Sequence, residues 1–478
     1  MKAKSSLIPG MILRKINLKT GERGMVLLAA LDACAREALL FAAAGFLIGG
    51  IDDLLIDMLF VWRALRRRLR RGPRFSAADF TLAETPGRMV VFVPAWDEAA
   101  VIAPMLTALL ARYDYPNYAV YVGAYPNDAA TIQAVTAIAA QDARVTLVIG
   151  PREGPTTKAD CLNTLWQAML EHEATRGRVK AVVLHDAEDL VHPAELRIFD
   201  WLIGRHAAVQ LPVLPLIHPQ GRVISAVYSD EFAESHAKQL QVREALGAGL
   251  PLAGVGCALD REVLARVGGA DGPFDRASLT EDYELGLAVA AAGGSTIFVH
   301  VPEAPGSWTP VAVRAYFPHR IDAAVRHRAR WMVGIALAGW DRLGWGHPLA
   351  WRDHWMRLRD RRAPLAVVVL AAAYAGLLLG GAGAIGHALE GTPQPALLPE
   401  ALLIATSALM LWRLIVRVGF TTANYGWREG IAAVPRVIIG NYIALLAVRR
   451  ALTTYIGLLR GRPLAWDKTA HQFPQGRA

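Results

Sequence analysis

The sequence predicts an α/β domain with a mostly parallel sheet, carried between apolar helices long enough to enter a membrane. Three observations lead there. Strand-length apolar runs at 89–93, 119–124, 145–149 and 179–184 alternate with helical patterns, as in a parallel sheet covered by helices. Both flanks carry long Ala/Leu/Val/Ile runs while the middle is mixed, and the whole is 54% hydrophobic with mean hydropathy +0.28, high for a soluble protein. At 478 residues the chain exceeds one ordinary domain and falls short of three, so one large domain plus a membrane part is the natural division.

In chain order, an N-terminal segment (1–38) leads into an apolar span at 39–62, long enough to cross a bilayer. Asp52, Asp53 and Asp57 interrupt it and belong near an interface, because carboxylates are costly in hydrocarbon. No small-residue cleavage site closes the span before the arginine-rich run 63–71, so it reads as retained and not as a signal peptide. Those arginines place the domain that follows, 63–315, in the cytosol. They follow an apolar stretch and are not interleaved with aromatics, so the net charge of +9 reads as membrane topology and no nucleic acid is expected as partner. Cys34, Cys161 and Cys257 lack metal-ligand spacing and are odd in number, which fits a reducing compartment.

Aromatic and basic residues over 316–362 predict amphipathic interface helices. Spans at 363–387 and 397–417 are flanked by Arg357, Arg359, Arg361 and Arg362 on one side and Arg413 and Arg417 on the other, with no Lys or Arg in the loop between them. The positive-inside rule makes them a hairpin with its tip in the periplasm. The stretch 431–448 contains Pro435, Arg436 and Asn441 and reads as an interfacial helix, with a fourth span as the alternative, ahead of a cytosolic tail at 449–478.

In a parallel sheet, ligands bind beyond the carboxyl ends of the strands. There the sequence places Pro94-Ala95-Trp96-Asp97-Glu98, Tyr125-Pro126-Asn127-Asp128 and His185-Asp186-Ala187-Glu188-Asp189. A single acid at such a place is usually a turn or helix cap; recurrence at three ends points to a shared site. Asp186 and Glu188 have the chemistry to hold a hard cation, Mg²⁺ or Mn²⁺, that bridges to a diphosphate. Asp189 reads equally as the cap of a helix beginning near His192 and Pro193. Thr280-Glu281-Asp282 opens an apolar-periodic helix and is either a plain helix start or the source of a general base. In Arg326-His327-Arg328-Ala329-Arg330-Trp331, Arg330 suits a diphosphate clamp and Trp331 a platform for a sugar ring, while the segment also suits a membrane-surface anchor.

The order of Asp128, Asp186 with Glu188, Thr280-Glu281-Asp282 and Arg330-Trp331 resembles the membrane-embedded family-2 glycosyltransferases, the group of the cellulose and hyaluronan synthases. Within it, the phrases ending in Glu98 and Asp128, Thr157-Lys158-Ala159-Asp160-Cys161-Leu162-Asn163, and Trp466-Asp467-Lys468-Thr469-Ala470-His471 resemble an inner-membrane branch whose surface glycan serves a phage as receptor. The resemblance implies a Rossmann-like GT-A nucleotide-sugar domain inserted between transmembrane helices. It implies Asp282 as catalytic base with Glu281 beside it, Arg330 and Trp331 as the Arg-Trp signature, and Asp186 and Glu188 on metal and diphosphate. Glu98, Asp128 and Lys158 would contact the donor, Gly256 and Cys257 would lie in an acceptor-side loop, and Trp466 and Lys468 in a gating loop. His327 stands where the family has Gln. The implied partners are a UDP-sugar donor, with N-acetylhexosamine and N-acetylmannosamine in view, a growing glycan acceptor, the lipid bilayer and an outer-membrane export partner. One displacement would invert the anomeric centre. The chain ends shortly after His471, so cyclic-dinucleotide regulation, known in larger relatives, is not expected to carry over. Single transfer to a polyprenyl phosphate and a non-catalytic scaffold are the alternatives.

Overall fold

The computed structural model describes residues 8–69, 75–462 and 471–474. It divides into two compact units, one of Met1–Leu55 with Leu365–Arg413 and the other of Ile56–Pro364 with Leu414–Ala478.

Helix α1 (Ile8–Leu69) takes in the expected span and, from Ile8 onward, the expected N-terminal segment as well. The Ala/Leu-rich sequence has no proline between Pro9 and its end, so nothing breaks the helix at 38. Within the apolar unit, small residues let the helices approach closely: a Cβ added at Gly45 would lie 2.6 Å from Val369 and one at Gly376 2.7 Å from Leu39. The polar groups there are paired, Asp32 with His387 at 2.7 Å and Asp53 with Arg413 at 3.4 Å.

The larger unit is built on a seven-stranded sheet. Its first half alternates β1 (Met89–Pro94), α2 (Ile102–Arg112), β2 (Tyr118–Ala124), α3 (Ala129–Ala139), β3 (Val145–Ile149), α4 (Lys158–Arg176), β4 (Ala181–Leu184) and α5 (Glu195–Leu202). Then come β5 (Ala208–Gln210), α6 (Arg222–Glu234), α7 (Leu240–Ala245), β6 (Cys257–Asp260), α8 (Arg261–Val267), α9 (Glu281–Ala291) and β7 (Thr296–Phe298). Strand order is β3-β2-β1-β4-β6-β5-β7, parallel except for β6, which runs antiparallel to both neighbours. The four expected strands all form. The three others are three or four residues long, too short to give a periodic signal.

The sheet is covered on both faces, and β1 divides its residues between them. Met89, Val91 and Val93 pack with Met105, Leu106, Leu109 and Phe199, while Val90 and Phe92 pack with Leu162, Leu165, Trp166 and Val289. All five of these strand residues are fully buried, each contributing about 1.5–3 kcal/mol. This burial fixes the strand ends as a rigid ledge.

The region 316–362 is helical as expected: α10 (Ile321–Trp331) continues through a π-helical stretch, Met332–Leu337, into α11 (Ala338–Leu343), and α12 (Trp351–Arg361) follows. Beyond them lie α13 (Ala363–Glu390), α14 (Glu400–Tyr425) and α15 (Trp427–Leu459). The expected interfacial helix at 431–448 is thus part of one 33-residue helix. Its Arg436 does not interrupt it, because Asp230 at 2.7 Å and Glu429 at 2.7 Å neutralise the guanidinium in a buried cluster. Ala447 and Ala451 pack against Ala329 and Val333. Among the described residues, Gly24–Leu69, α13, α14 and α15 are long and apolar enough to cross a membrane, which marks the chain as membrane-associated.

Candidate active site

A cavity of about 690 Å³ opens beyond the carboxyl ends of β1 and β4. Glu98, Lys158, Asp186, Glu188, Glu281, Asp282, Arg330 and Trp331 all line it. Residues separated by up to 233 positions in sequence, from Glu98 to Trp331, therefore converge on one space.

Lys158 organises the floor. It is the first residue of α4, whose N-terminus is capped by the Thr157 hydroxyl accepting from the Asp160 N–H. Its ammonium lies 2.5 Å from Asp186 Oδ1 and 3.7 Å from Glu281 Oε1, bridging the β4 end to the start of α9. Burial opposes its charge, but Asp186, Glu281 and Asp282 outweigh that and raise its pKa. Burial likewise opposes ionisation of Asp186, yet Lys158 holds its pKa below the ordinary value.

Among the described residues, Asp282 forms no ion pair of this kind, and the Lys158 charge offsets its burial only in part. Burial first, and then the Glu281 charge, push its carboxyl up to about 7. Its Oδ2 crowds Gly254, where an added Cβ would lie 2.5 Å away, and Gly254 has φ +73°, a conformation suited to glycine. The plain helix-start reading fails in one respect: the Thr280 side chain makes no cap bond, and the Thr280 N–H donates instead to Ser278 Oγ at 3.1 Å.

Asp189 does not cap the helix near His192; it lines the cavity, with its carboxylate engaged by protein groups. It accepts from the Asp186 N–H at 3.0 Å and bonds His185 Nδ1 at 2.8 Å, and His185 Nε2 meets Glu195 Oε1 at 2.6 Å. Burial opposes the imidazole's charge, but the two carboxylates raise its pKa to about 10, and this buried chain braces the β4 turn from behind.

The expected metal pair divides. Glu188 groups with Glu98 and His471, one ligand atom from each lying within 4.8 Å of the others, while Asp186 is engaged by Lys158. His471 Nδ1 is 2.9 Å from Glu98 and 3.1 Å from Glu188. Burial disfavours its charge, but Glu188 and Glu98 outweigh that and lift its pKa to about 10, so an imidazolium sits between two carboxylates. Two carboxylates and an imidazole are a donor set that fits Mn²⁺ or Mg²⁺, the imidazole favouring Mn²⁺.

Asp128 does not line the cavity. Its Oδ1 accepts from Thr131 N at 3.2 Å, capping α3, and its Oδ2 accepts from Asp97 N at 2.6 Å. Asp97 has φ +54°, strained for a non-glycine residue. Asp128 therefore pins the turn that presents Glu98, whose own N–H donates to Thr131 Oγ1 at 3.0 Å. Gly256 and Cys257 are also off the cavity surface; Cys257 begins β6, paired with Leu184 and fully buried. Trp466 and Lys468 lie outside the described residues.

Rings form another part of the lining. Trp331 lies 4.3 Å from the His327 ring, 6.0 Å from Phe232 and 6.4 Å from Phe317. His218 stacks on His319 at 3.9 Å and bonds Gln472 at 2.6 Å. Sequence reasoning missed Ser278, His218, His319 and Phe232, which carry no local motif. The role of His471 was signalled by the Trp466-to-His471 phrase, which it closes.

A model of the glycosyltransferase-like family 2 matches residues 86–334. Bacteriophage adsorption protein B of Escherichia coli (strain K12) is 36% identical over 458 residues, covering 89% of this chain and 60% of that protein, and the bacteriophage N4 adsorption protein B of Escherichia coli O157:H7 matches equally. The chain thus spans 60% of the length of these curated relatives. Among solved structures, a mannosyltransferase from Pyrobaculum calidifontis in complex with GDP-Man and Mn²⁺ is similar in fold, with TM-score 0.50, 21% identity, and coverage of 85% of this chain and 99% of that one.

Proposed function

The chain belongs to glycosyltransferase family 2, and on that premise we propose that it transfers a sugar from a UDP donor to a growing surface or secreted glycan, from the cytosolic side of a bacterial inner membrane. The observation that carries this reading is the convergence of Lys158, Asp186, Glu281, Asp282 and Arg330 on one cavity at the strand ends.

The ionised Asp282 takes the proton of an acceptor hydroxyl, and that oxygen forms a bond to the anomeric carbon. The bond from the anomeric carbon to the diphosphate breaks as it forms, and the nucleoside diphosphate departs with the electron pair. One displacement inverts the centre, so an α-linked donor yields a β-linkage. Arg330, whose Nε is buried without a hydrogen-bond partner among the described residues, supplies a guanidinium for the leaving phosphates. Lys158 keeps Asp186 ionised on the donor side. Trp331 offers a ring face to the acceptor sugar.

Glu98, Glu188 and His471 would hold a divalent cation, whose charge neutralises the leaving diphosphate when bound. Likeness to adsorption protein B supports an N-acetylhexosamine as the sugar, N-acetylmannosamine being the first to try.

Inverted membrane vesicles bearing the full chain, supplied with radiolabelled UDP-sugars and Mn²⁺ or Mg²⁺, test the reading. Incorporation of one sugar into high-mass material, absent with Asp282→Asn, is the expected result. Label confined to a lipid fraction would replace polymer synthesis with single transfer to a lipid phosphate, and no variant-sensitive label from any donor would sink the enzymatic reading.

A further inference from the structure

Both oxygens of the Asp282 carboxylate face groups that lead back to one arginine. Its Oδ1 accepts from the Tyr283 N–H at 2.8 Å, and its Oδ2 crowds Gly254. The Tyr283 phenol donates at 2.7 Å to Oδ2 of Asp360, a residue of α12. Asp360 is the counter-charge of Arg243 on α7, whose Nη1 lies 2.8 Å from its Oδ1 and 2.7 Å from its Oδ2. The same guanidinium donates from Nε to the Gly249 carbonyl at 2.6 Å, where the chain sets out toward Gly254. Asp353, also on α12, accepts from the Gly249 N–H at 3.0 Å. α9 lies tight against this loop, since a Cβ added at Gly286 would be 2.5 Å from the Leu250 carbonyl oxygen.

Arg243 and Tyr283 are both buried. A buried guanidinium stripped of its carboxylate is costly, so Asp360 is fixed in place by a charge that needs it. A hydrogen bond to a carboxylate is stronger than one between neutral groups, so the fixed Asp360 in turn fixes the phenol. Asp360 also lines the cavity, where a carboxylate could meet a substrate hydroxyl directly. Its two oxygens are instead both engaged by Arg243, and one of them by Tyr283 as well. With Asp282 as the base, the reading on which this rests, we propose that Asp360 is a positioning residue for the transfer: through Tyr283 it sets the orientation of the Asp282 carboxylate. α12, 77 residues further along the chain, is thereby part of the catalytic geometry.

Tyr283→Phe is the test, because it removes the phenol oxygen and leaves both the Asp360–Arg243 pair and the backbone N–H at 283 in place. On vesicles bearing the full chain, kcat should fall about tenfold or more, with the KM for UDP-sugar and UDP binding retained. Ile198→Val, buried on α5 and outside the cavity, costs comparable stability and should keep kcat within about twofold. Hydrogen exchange of the full chain in detergent needs no turnover: with Tyr283→Phe the amides of 284–287 should exchange about tenfold faster, and those of α3 at the parent's rate. Asp360→Asn should lower kcat at least as far, and should it fail to fold for want of a partner to Arg243, Tyr283→Phe decides alone. A parent-like kcat in Tyr283→Phe overturns the proposal, as do losses of kcat that follow Tm alike in Tyr283→Phe and Ile198→Val. Weakened UDP binding in Tyr283→Phe also overturns it, by placing the tyrosine's action on the donor. Parent vesicles with no label sensitive to Asp282→Asn would sink the assignment of the base itself, whereas an active parent beside an indifferent Tyr283→Phe sinks the positioning role only.

Discussion

Two parts of the candidate cavity are built on opposite plans. On the side proposed for the donor, charges meet charges at fixed distances: Lys158 with Asp186, and His471 with Glu98 and Glu188. On the side proposed for the acceptor, rings meet rings, Trp331 with His327, Phe232 and Phe317. A diphosphate is recognised by charge and a sugar face by an apolar plane. Asp282 belongs to neither plan: it lines the same cavity as a buried acid that forms no ion pair among the described residues.

The largest expected effect comes from removing that residue. Asp282→Asn should lower kcat about a thousandfold with donor affinity retained, measured as label transfer and UDP binding on the same vesicles. In the parent protein, activity should rise with pH through about 7, because the raised pKa keeps Asp282 protonated and unable to accept a proton below it. Stability runs the other way. The folded pKa, about 7, exceeds the ordinary 3.8, so the stability linked to this group is present below about pH 4 and is lost as pH rises through 7. Asp282→Asn should flatten that loss, and a thermal-melting series across pH reads it. A variant whose Tm falls with pH as steeply as the parent's would contradict the buried-acid account.

Gly254 tests the same carboxylate. With φ +73° and an added Cβ 2.5 Å from Asp282 Oδ2, Gly254→Ala must move either the loop or the carboxylate. A displacement of about 1 Å at a reacting group costs on the order of a hundredfold in rate. The expected signature is a fall in kcat with UDP affinity unchanged, which separates misplacement of the base from damage to the donor wall.

The donor wall was largely legible in the sequence, and the acceptor wall was not, for a physical reason. Strand ends are local: an apolar run followed by an acid names its own position, and so Glu98, Asp186 and Glu188 stand out from the order of residues alone, as Asp282 does at the head of its helix. What the sequence could not say is which acids face each other. Asp128 follows the same strand-end rule, yet its carboxylate serves backbone N–H groups, because Asp97 needs an anchor in its left-handed conformation. Asp186 and Glu188 are two residues apart, yet one turns to Lys158 and the other to His471. The acceptor wall draws Phe232 from α6, Phe317 from a loop and Trp331 from α10, and no periodicity links those three. α15 is longer than the sequence suggests because Arg436 reads there as an interruption, and only the fold supplies Asp230 as its counter-charge.

The division of the donor carboxylates is itself testable. His471→Ala should weaken Mn²⁺ binding, followed by electron paramagnetic resonance of the full chain without substrate, by about tenfold or more, as Glu188→Gln should. Asp186→Asn should change Mn²⁺ affinity less than either, because its partner is an ammonium 2.5 Å away. Equal losses from Asp186→Asn and Glu188→Gln would restore the pairing expected from their spacing.

The smallest effect tests the acceptor wall. Burial, and then the charge of Arg330, hold the His327 imidazole well below its ordinary pKa, so it is neutral throughout the working range. Its Nδ1 is buried with no hydrogen-bond partner among the described residues, while its ring packs on Trp331. A glutamine there keeps a neutral polar group and loses the ring face. Losing one ring contact costs on the order of 1 kcal/mol, so His327→Gln should change the KM for acceptor by roughly fivefold. The KM for donor should stay constant, and the pH profile should keep its single rise near 7. If the variant instead shifts that rise or weakens UDP binding, His327 is coupled to the charged wall, and the separation of charge on one side from rings on the other does not hold.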